Sequence, residues 1–537
     1  MKLTVPKVLS KVLAGCVLGL FIQGQAGAQA VSAQSAPTQA GSAAVVAVEL
    51  MPSWFEAGRP TADVAVALEV LADAAAQGLN PADYRAQELI QAFDGAGSVG
   101  AAPEVMSRLD TELTAALELY LADLQHGRLS PETLKHRFKA PTSERFDARR
   151  HVIQARQAGL LAAGLRLAQP QVPMYEAVRR AMEAYRAMGD HAAWQRAFPP
   201  LATRSLKPGQ TWEGLPLVAE RLAALGDLTP GSMVVEHYDE ILVEGVRRFQ
   251  ERHGLEPDGV LGPATLEALN VTPAQRVKQM ALTLERLRWT PLLHGPRMIV
   301  VNVPEFVLRA YERKAGAEVE LNLEMRVVVG RALDTRTPIF LEDMRFIEFS
   351  PYWNVPISIA RGETLPRLRR DPGYFSQQGF EFVSRDGTVT TALSDTAIDA
   401  VQRGEWRVRQ RPGPRNALGD IKFIFPNDQN IYLHHTPAPQ LFARARRDFS
   451  HGCIRIEYPV KLAEFVLKHS PEWTTERIEA AMSGGRSRTL RLQEPIPVLI
   501  SYSTVVVKND KVYFFPDIYQ QDALLEQALN KARPLRS

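Results

Sequence analysis

At about residue 296 the hydrophobic period of this chain changes, and that switch fixes what kind of protein it can be. Before it, apolar residues recur at helical spacing. Val64, Leu68, Leu71 and Ala75 form one stripe, with Thr61 as N-cap and Gly78 as stop. Leu109, Leu113, Leu117, Tyr120 and Leu124 form a longer one that ends at Gly127. After residue 296, "RMIVVNVPEFVLRAY", "LNLEMRVVVG", "RFIEFSPYWNVP" and "KFIFPNDQNIYLHH" are rich in β-branched and apolar residues and read as strands. Helices segregated from strands predict a multidomain α+β protein. A chain of 537 residues exceeds one core, and about two to four domains are expected. We expect an α-helical scaffold domain over 45–204, a second helical unit over 205–292, and a mostly-β, sandwich-like domain over 296–500. A C-terminal segment over 501–537 contains a hairpin, "STVVVKNDKVYFF", turning at Asn509-Asp510. Residues 356–410 break the strand pattern with a polar, arginine-rich stretch, read as a capping insertion placed to act as a lid. Ser130-Pro131-Glu132 reads as a helix start.

The first 28 residues read as an export signal. Lys2, Lys7 and Lys11 precede an apolar run over 12–22 and a small-x-small site at Ala26-Gly27-Ala28. The run is too short to span a bilayer. Residues 29–44 read as a flexible leader. Leu13-Ala14-Gly15-Cys16 has the look of a lipidation site, but Cys16 lies inside the apolar run and such a site should follow it. The formal charge of +3 is that of the three signal lysines, so the exported chain is neutral overall. A general nucleic-acid binder should carry a basic excess.

Residues 246–270, "VRRFQERHGLEPDGVLGPATLEALN", resemble the three-helix peptidoglycan-binding-like domain. The resemblance rests on an apolar-x-x-Phe-Gln helix, Asp258-Gly259 and Gly262-x-x-Thr265. It implies such a domain over 205–292 and a weak guide to ligand, since such modules often serve as spacers.

Once the signal is removed, Cys453 has no partner for an internal disulfide. A lone thiol in an exported chain is either buried and inert or reactive and used, and the count alone does not choose. Nucleophilic use needs a base or cation beside the sulfur, amide donors for an oxyanion, and an accessible backbone. Gly452 permits close approach, and His434, His435 and His451 are candidate bases. His434 and His435 follow a strand, so one of them should face the sulfur. The histidines with Cys453 fit no standard structural zinc spacing, and no second cysteine is available. Ser450 lacks the Gly-x-Ser-x-Gly elbow of a serine hydrolase.

"YLHHTP" followed by "FSHGCIRI" resembles the signature of the YkuD-type L,D-transpeptidases. "SPYWNVP" and "RQRPGPRNALGDIKFIFPN" are similar to the large periplasmic branch, which carries a helical scaffold, a peptidoglycan-binding-like domain and a capping insertion. The resemblance implies Cys453 as nucleophile and His434 as general base and acid. The backbone carbonyl of His435 would orient His434, at a position where the family more often has Gly or Asp. Gly452 would serve the oxyanion hole. Ser450, His451, Arg455, Tyr432, Trp353, Asn354 and Gly419 would bind substrate. No metal and no cofactor are implied.

The implied reaction is 3→3 cross-linking of peptidoglycan stems through a cysteine thioester, with release of D-Ala. The implied partners are a donor tetrapeptide stem, the meso-diaminopimelate amine of an acceptor stem and other cell-wall synthases. The implied place is the periplasm of a Gram-negative bacterium. A carbapenem should trap the thiol. The arginines at 403, 407, 409, 411, 415, 444, 446 and 447 are either a grip for stem carboxylates or a solvated basic face. Two rivals share the sequence features: an L,D-carboxypeptidase hydrolysing the same stems, and a non-catalytic wall-binding scaffold.

Overall fold

The computed structural model describes residues 53–99, 102–138, 146–229, 237–291, 295–314, 319–332 and 335–532. Residues 1–28, read from the sequence as an export signal, the leader read over 29–44, and Cys16 lie outside the described residues. Among the described residues no helix is long and apolar enough to cross a membrane.

The first core is helical. A short ribbon, β1 (Phe55–Glu56) and β2 (Arg59–Pro60), leads into α1 (Ala62–Ala72), α2 (Ala86–Val99), α3 (Pro103–His126), α4 (Ala148–Gln157), α5 (Leu161–Leu167) and α6 (Pro173–Met188). The apolar stripe of α3 is its buried face: Leu109, Leu113, Leu117 and Leu124 are at most 1 % exposed. Ser130 opens only a single 3₁₀ turn, Pro131–Leu134, because Lys135 turns left-handed at φ 60°.

A separate small core holds α7 (Leu215–Ala224), α8 (Glu240–Arg252) and α9 (Pro263–Asn270). One glutamine explains the spacing of its motif. Gln250 Nε2 donates to Asp258 Oδ1 at 3.0 Å, Val260 O at 3.0 Å and Thr265 Oγ1 at 3.1 Å. The Gly259 N–H donates to Gln250 Oε1 at 2.8 Å. The buried amide is thereby satisfied and the turn locked to both helices.

α10 (Pro273–Trp289) opens with a capping box of Thr272 and Gln275. The sequence reading grouped it with the unit over 205–292. Its Met280, Leu284 and Leu287 instead pack in the first core, and Trp289 joins the core of the β domain. The cause is its polar pairing as well as its apolar face: Arg288 is buried and donates to Tyr175 Oη at 3.1 Å and to Glu285 at 2.9 Å. This helix is the strut between scaffold and β domain.

The β domain begins with β3 (Arg297–Asn302), β4 (Val307–Arg313), β5 (Val319–Gly330) and β6 (Phe340–Phe349). An insertion follows, with β7 (Trp353–Asn354), α11 (Ile357–Ile359), a π turn over Ala360–Thr364, α12 (Leu365–Arg370), α13 (Gly373–Gln377), β8 (Phe380–Val383), β9 (Val389–Thr390), α14 (Asp395–Arg403) and β10 (Arg407–Gln410). The chain returns as β11 (Ile421–Ile424), β12 (Leu433–His434), β13 (Asp448–Ser450), β14 (Ile454–Ile456), α15 (Pro459–Val466), α16 (Thr475–Ser483) and β15 (Arg488–Ser501). The strand order is β13-β5-β14-β12-β11-β6-β15-β3-β4, and β4 pairs again with β5. Eight strands thus close on themselves, with β13 branching from β5.

The insertion is a folded body, not an open loop. Its strands pair in the order β7-β10-β8-β9 over a core that includes Phe375, Phe380, Phe382, Val401 and Val408. It therefore begins at Trp353, three residues before the boundary read from the sequence.

The C-terminal hairpin, β16 (Val505–Lys508) and β17 (Lys511–Phe514), turns through Asn509 and Asp510, at φ 48° and 58°. Its Val505 and Phe514 are buried in the scaffold core. α17 (Gln521–Ala532) packs its Asp522 against Arg286 of α10.

Candidate active site

Two short parallel strands build the centre of the site. β12 and β14 pair with Leu433 opposite Ile454 and His434 opposite Arg455. Side chains alternate along a strand, so Tyr432, His434, Cys453 and Arg455 project from one face. All four line a cavity of about 750 Å³. Trp353, Asn354, Ser450 and His451 line it too.

Cys453 is half-buried, and its Sγ lies 3.5 Å from the Asn430 carbonyl. Burial pushes its thiol up, while the Tyr432 amide and the charges of Lys422 and Arg455 pull it down. His434 is 4 % exposed. Burial, with the nearby Arg455 charge, holds its imidazole down to about 3, against the carbonyls of His435 and Leu418. Nδ1 lies 2.5 Å from the His435 carbonyl oxygen. An N–H there donates, which leaves Nε2 as the basic nitrogen. At neutral pH the pair is a thiol and a neutral imidazole.

The loop that carries Cys453 is held from beneath. Ser450 is 2 % exposed; its Oγ donates to the Cys453 carbonyl at 2.5 Å and accepts the Gly452 N–H at 3.1 Å. Thr337 Oγ1 donates to the Gly452 carbonyl at 2.7 Å. Gly452 has φ 117°, a region closed to ordinary side chains. Its N–H, read from the sequence as an oxyanion donor, is engaged by Ser450, and Gly452 does not line the cavity. The physical reason is the tight Ser450 turn that aims Cys453.

Gly419 also stands elsewhere than expected. It does not line the cavity but lies under the His435 ring, which a Cβ at Gly419 would meet at 2.7 Å. The room that glycine leaves is filled by the imidazole. His435 Nδ1 lies 3.3 Å from Asp420 Oδ2, without hydrogen-bond geometry.

His451 is taken by the insertion: its Nε2 is 2.7 Å from Glu363 Oε1. The sequence reading missed Glu363, whose own neighbours in the chain carry no signal of a site. It also missed Lys422, which lines the cavity with its Nζ 3.9 Å from the centre of the Tyr432 ring. Lys422 sits opposite His434 across β11–β12, a relation that alternation along β11 would have shown.

The arginine run does not grip this cavity. Arg403 pairs with Glu405, Arg409 with Glu381 and Arg446 with Asp448. Arg415 donates to the Gln377 carbonyl at 2.5 Å. Arg455 and Lys422 are the Arg and Lys residues lining the cavity. The Arg455 Nε is buried without a hydrogen-bond partner among the described residues.

Three stretches of the chain match known domain families. Residues 296–489 match the family "YkuD: L,D-transpeptidase catalytic domain". Residues 47–182 match a "Scaffold domain" and 214–269 a "Putative peptidoglycan binding domain". A "Putative L,D-transpeptidase" of Haemophilus influenzae is 32 % identical over 251 residues, covering 47 % of this chain and 49 % of the relative. The chain thus spans about half the length of that curated relative. A crystal structure of an L,D-transpeptidase from Xylanimonas cellulosilytica is 15 % identical, over 56 % of this chain and 100 % of its own, with a TM-score of 0.18. A fused Zn-dependent amidase/peptidase/peptidoglycan-binding domain-containing protein from Clostridium acetobutylicum is 13 % identical, over 55 % and 99 %, with a TM-score of 0.14. This chain carries a YkuD L,D-transpeptidase catalytic domain together with a peptidoglycan-binding domain.

Proposed function

We propose that the chain is a peptidoglycan L,D-transpeptidase of the periplasm, exported by its N-terminal signal, with Cys453 as nucleophile and His434 as proton carrier. The observation that carries this is the shared face of β12 and β14, which opens His434 and Cys453 into one cavity.

The donor is a tetrapeptide stem. As Sγ attacks the carbonyl of its third residue, the thiol proton passes to His434 Nε2. The C–S bond forms and the C–N bond to D-Ala breaks. His434 returns the proton to the leaving amine, and the acyl group stays on sulfur as a thioester. The amine of a second stem then attacks, loses its proton to His434, and releases Cys453 as thiol. His434 suits both halves because burial keeps it neutral between them. Lys422 and Arg455 stabilise sulfur as it gains charge. The oxyanion is assigned first to the amide of Cys453, because that of Gly452 is engaged. Trp353 and Asn354, carried by the insertion's first strand, wall the donor groove. Bond energy held in the thioester explains why transfer outside the cytoplasm needs no nucleotide.

Incubation with disaccharide-tetrapeptide and mass analysis of products tests this reading. Cross-linked dimers that vanish in Cys453→Ala support it. Trimmed monomers alone would establish a carboxypeptidase instead. Dimers that survive Cys453→Ala would leave Cys453 without the proposed role.

A further inference from the structure

Tyr519 lies outside the stretch 296–489 that matches the catalytic family, yet it is 1 % exposed within the core of the β domain. It stands between the C-terminal hairpin and α17. Its phenol closes a ring of three hydrogen bonds. Tyr519 Oη donates to the Gly330 carbonyl at 2.6 Å. The Gly330 N–H donates to Thr337 Oγ1 at 2.9 Å. The Thr337 N–H donates back to Tyr519 Oη at 3.2 Å. Gly330 ends β5 and Thr337 leads toward β6, so the phenol ties the ends of two strands together. Burial pushes the phenol up to about 12, so it keeps the proton that it donates. Only glycine fits at position 330, since a Cβ there would run into the Thr335 carbonyl.

One hydroxyl proton leads out of this ring. Thr337 Oγ1 accepts the Gly330 N–H and donates to the Gly452 carbonyl at 2.7 Å. Beside it, Thr335 Oγ1 and the Arg331 N–H both donate to the Ser450 carbonyl, at 3.1 and 3.0 Å. The loop of Cys453 is thus held at two of its carbonyls by residues that Tyr519 braces. A peptide unit is planar and trans, so its C=O and N–H point in opposite directions. Fixing the Gly452 carbonyl therefore fixes where the Cys453 N–H points.

Tyr519 is itself anchored away from the cavity. Its N–H donates to Tyr502 Oη at 2.9 Å, and Tyr502 Oη donates to Asp517 Oδ1 at 2.6 Å. Asp517 also accepts the N–H groups of Gln521 and Asp522 at the start of α17, at 2.7 and 2.9 Å. Arg336 donates to the Tyr519 carbonyl at 2.9 Å. Packing alone accounts for the aromatic ring, since a phenylalanine would fill the same space. It does not account for the hydroxyl.

We propose that Tyr519 is a positioning residue for acyl transfer at Cys453. Acting through Thr337, its hydroxyl sets the Gly452–Cys453 peptide plane, so that the Cys453 amide faces the oxyanion as it forms. The C-terminal segment is then part of the working catalytic unit. This role rests on the acyl transfer proposed above.

Two reagents for one thiol test it. Iodoacetamide alkylates sulfur by displacement at carbon and forms no oxyanion. A carbapenem acylates it through a tetrahedral oxyanion. In the full chain, Tyr519→Phe should slow carbapenem acylation of Cys453 at least about tenfold, and leave the iodoacetamide rate and its pH profile unchanged. Thr337→Val should do the same, and Tyr519→Phe added to it should slow acylation no further. Equal slowing of both reagents, or a Tyr519→Phe chain that does not fold, would make Tyr519 structural and overturn the proposal. So would equal acylation of wild type and Tyr519→Phe, or additive losses in the double variant. A wild-type chain that iodoacetamide alkylates but no carbapenem acylates would refute the proposed reaction, and this role with it.

Discussion

The imidazole of His451 and the carboxylate of Glu363 meet at 2.7 Å, across the gap between the loop of Cys453 and the insertion. One residue stands two before Cys453; the other lies in the π turn of a body with its own core. The contact ties the insertion to the cavity that both residues line, and we propose that it acts as the latch of a lid.

Glu363→Gln should loosen that latch. A partly exposed pair contributes about 0–1 kcal/mol, so the lid should open up to about fivefold more often. Alkylation of Cys453 should quicken by that factor, and amide exchange over 356–410 should rise. An unchanged alkylation rate would mean that the insertion does not gate the thiol.

Acid should destabilise the fold through buried histidines. His434 is held down to about 3 and His136 to about 4, and His253 is well below its ordinary value, in each case mainly by burial. The folded state therefore refuses protons that the unfolded chain accepts. Stability is complete above the unfolded value near 6.5 and is lost as pH falls toward the folded values. By pH 5 His434 and His136 should each cost about 2 kcal/mol, and His253 acts in the same direction. Denaturant titrations from pH 8 to 5 should show this slope, reduced by about one proton in His434→Gln. A flat profile would contradict the burial of these rings.

Gly419 and His435 should behave as a coupled pair. Gly419→Ala puts a Cβ into the ring at 2.7 Å and an alanine at φ 63°. It should cost about 1–3 kcal/mol and slow turnover, because the His435 carbonyl orients His434. His435→Gly removes the clash but not the dihedral strain. The double variant should recover part of the loss, and simple additivity would show the two to be independent.

Lys422→Met should raise the Cys453 thiol further, since the ammonium pulls it down. The pH profile of alkylation should move to higher pH, with a loss of up to about tenfold at fixed pH per unit of movement. An unmoved profile would remove Lys422 from the site.

The shared cavity of Cys453 and His434 was legible because their setting is local. Cys453 sits in a contiguous motif, and His434 ends a strand that alternation alone can place on a face. Glu363 was not legible: it lies 88 residues from His451 and reaches it only through the fold of the insertion. That insertion read as polar because Phe375, Phe382 and Val401 are scattered among charged residues and form a core only in three dimensions. α10 was placed in the wrong unit because its apolar stripe says that it packs but not against what. Gly419 was read as a groove residue, since no sequence rule shows that a ring sixteen positions on needs its missing Cβ.

The most direct test of the acyl-enzyme account is intact-protein mass after incubation with a carbapenem, whose strained lactam presents an acyl group to any competent thiol. We expect a gain of one carbapenem mass, mapped to the peptide holding Cys453, abolished in Cys453→Ala and slowed at least about a hundredfold in His434→Ala. A folded protein of unchanged mass, or an adduct that persists in Cys453→Ala, would contradict the account.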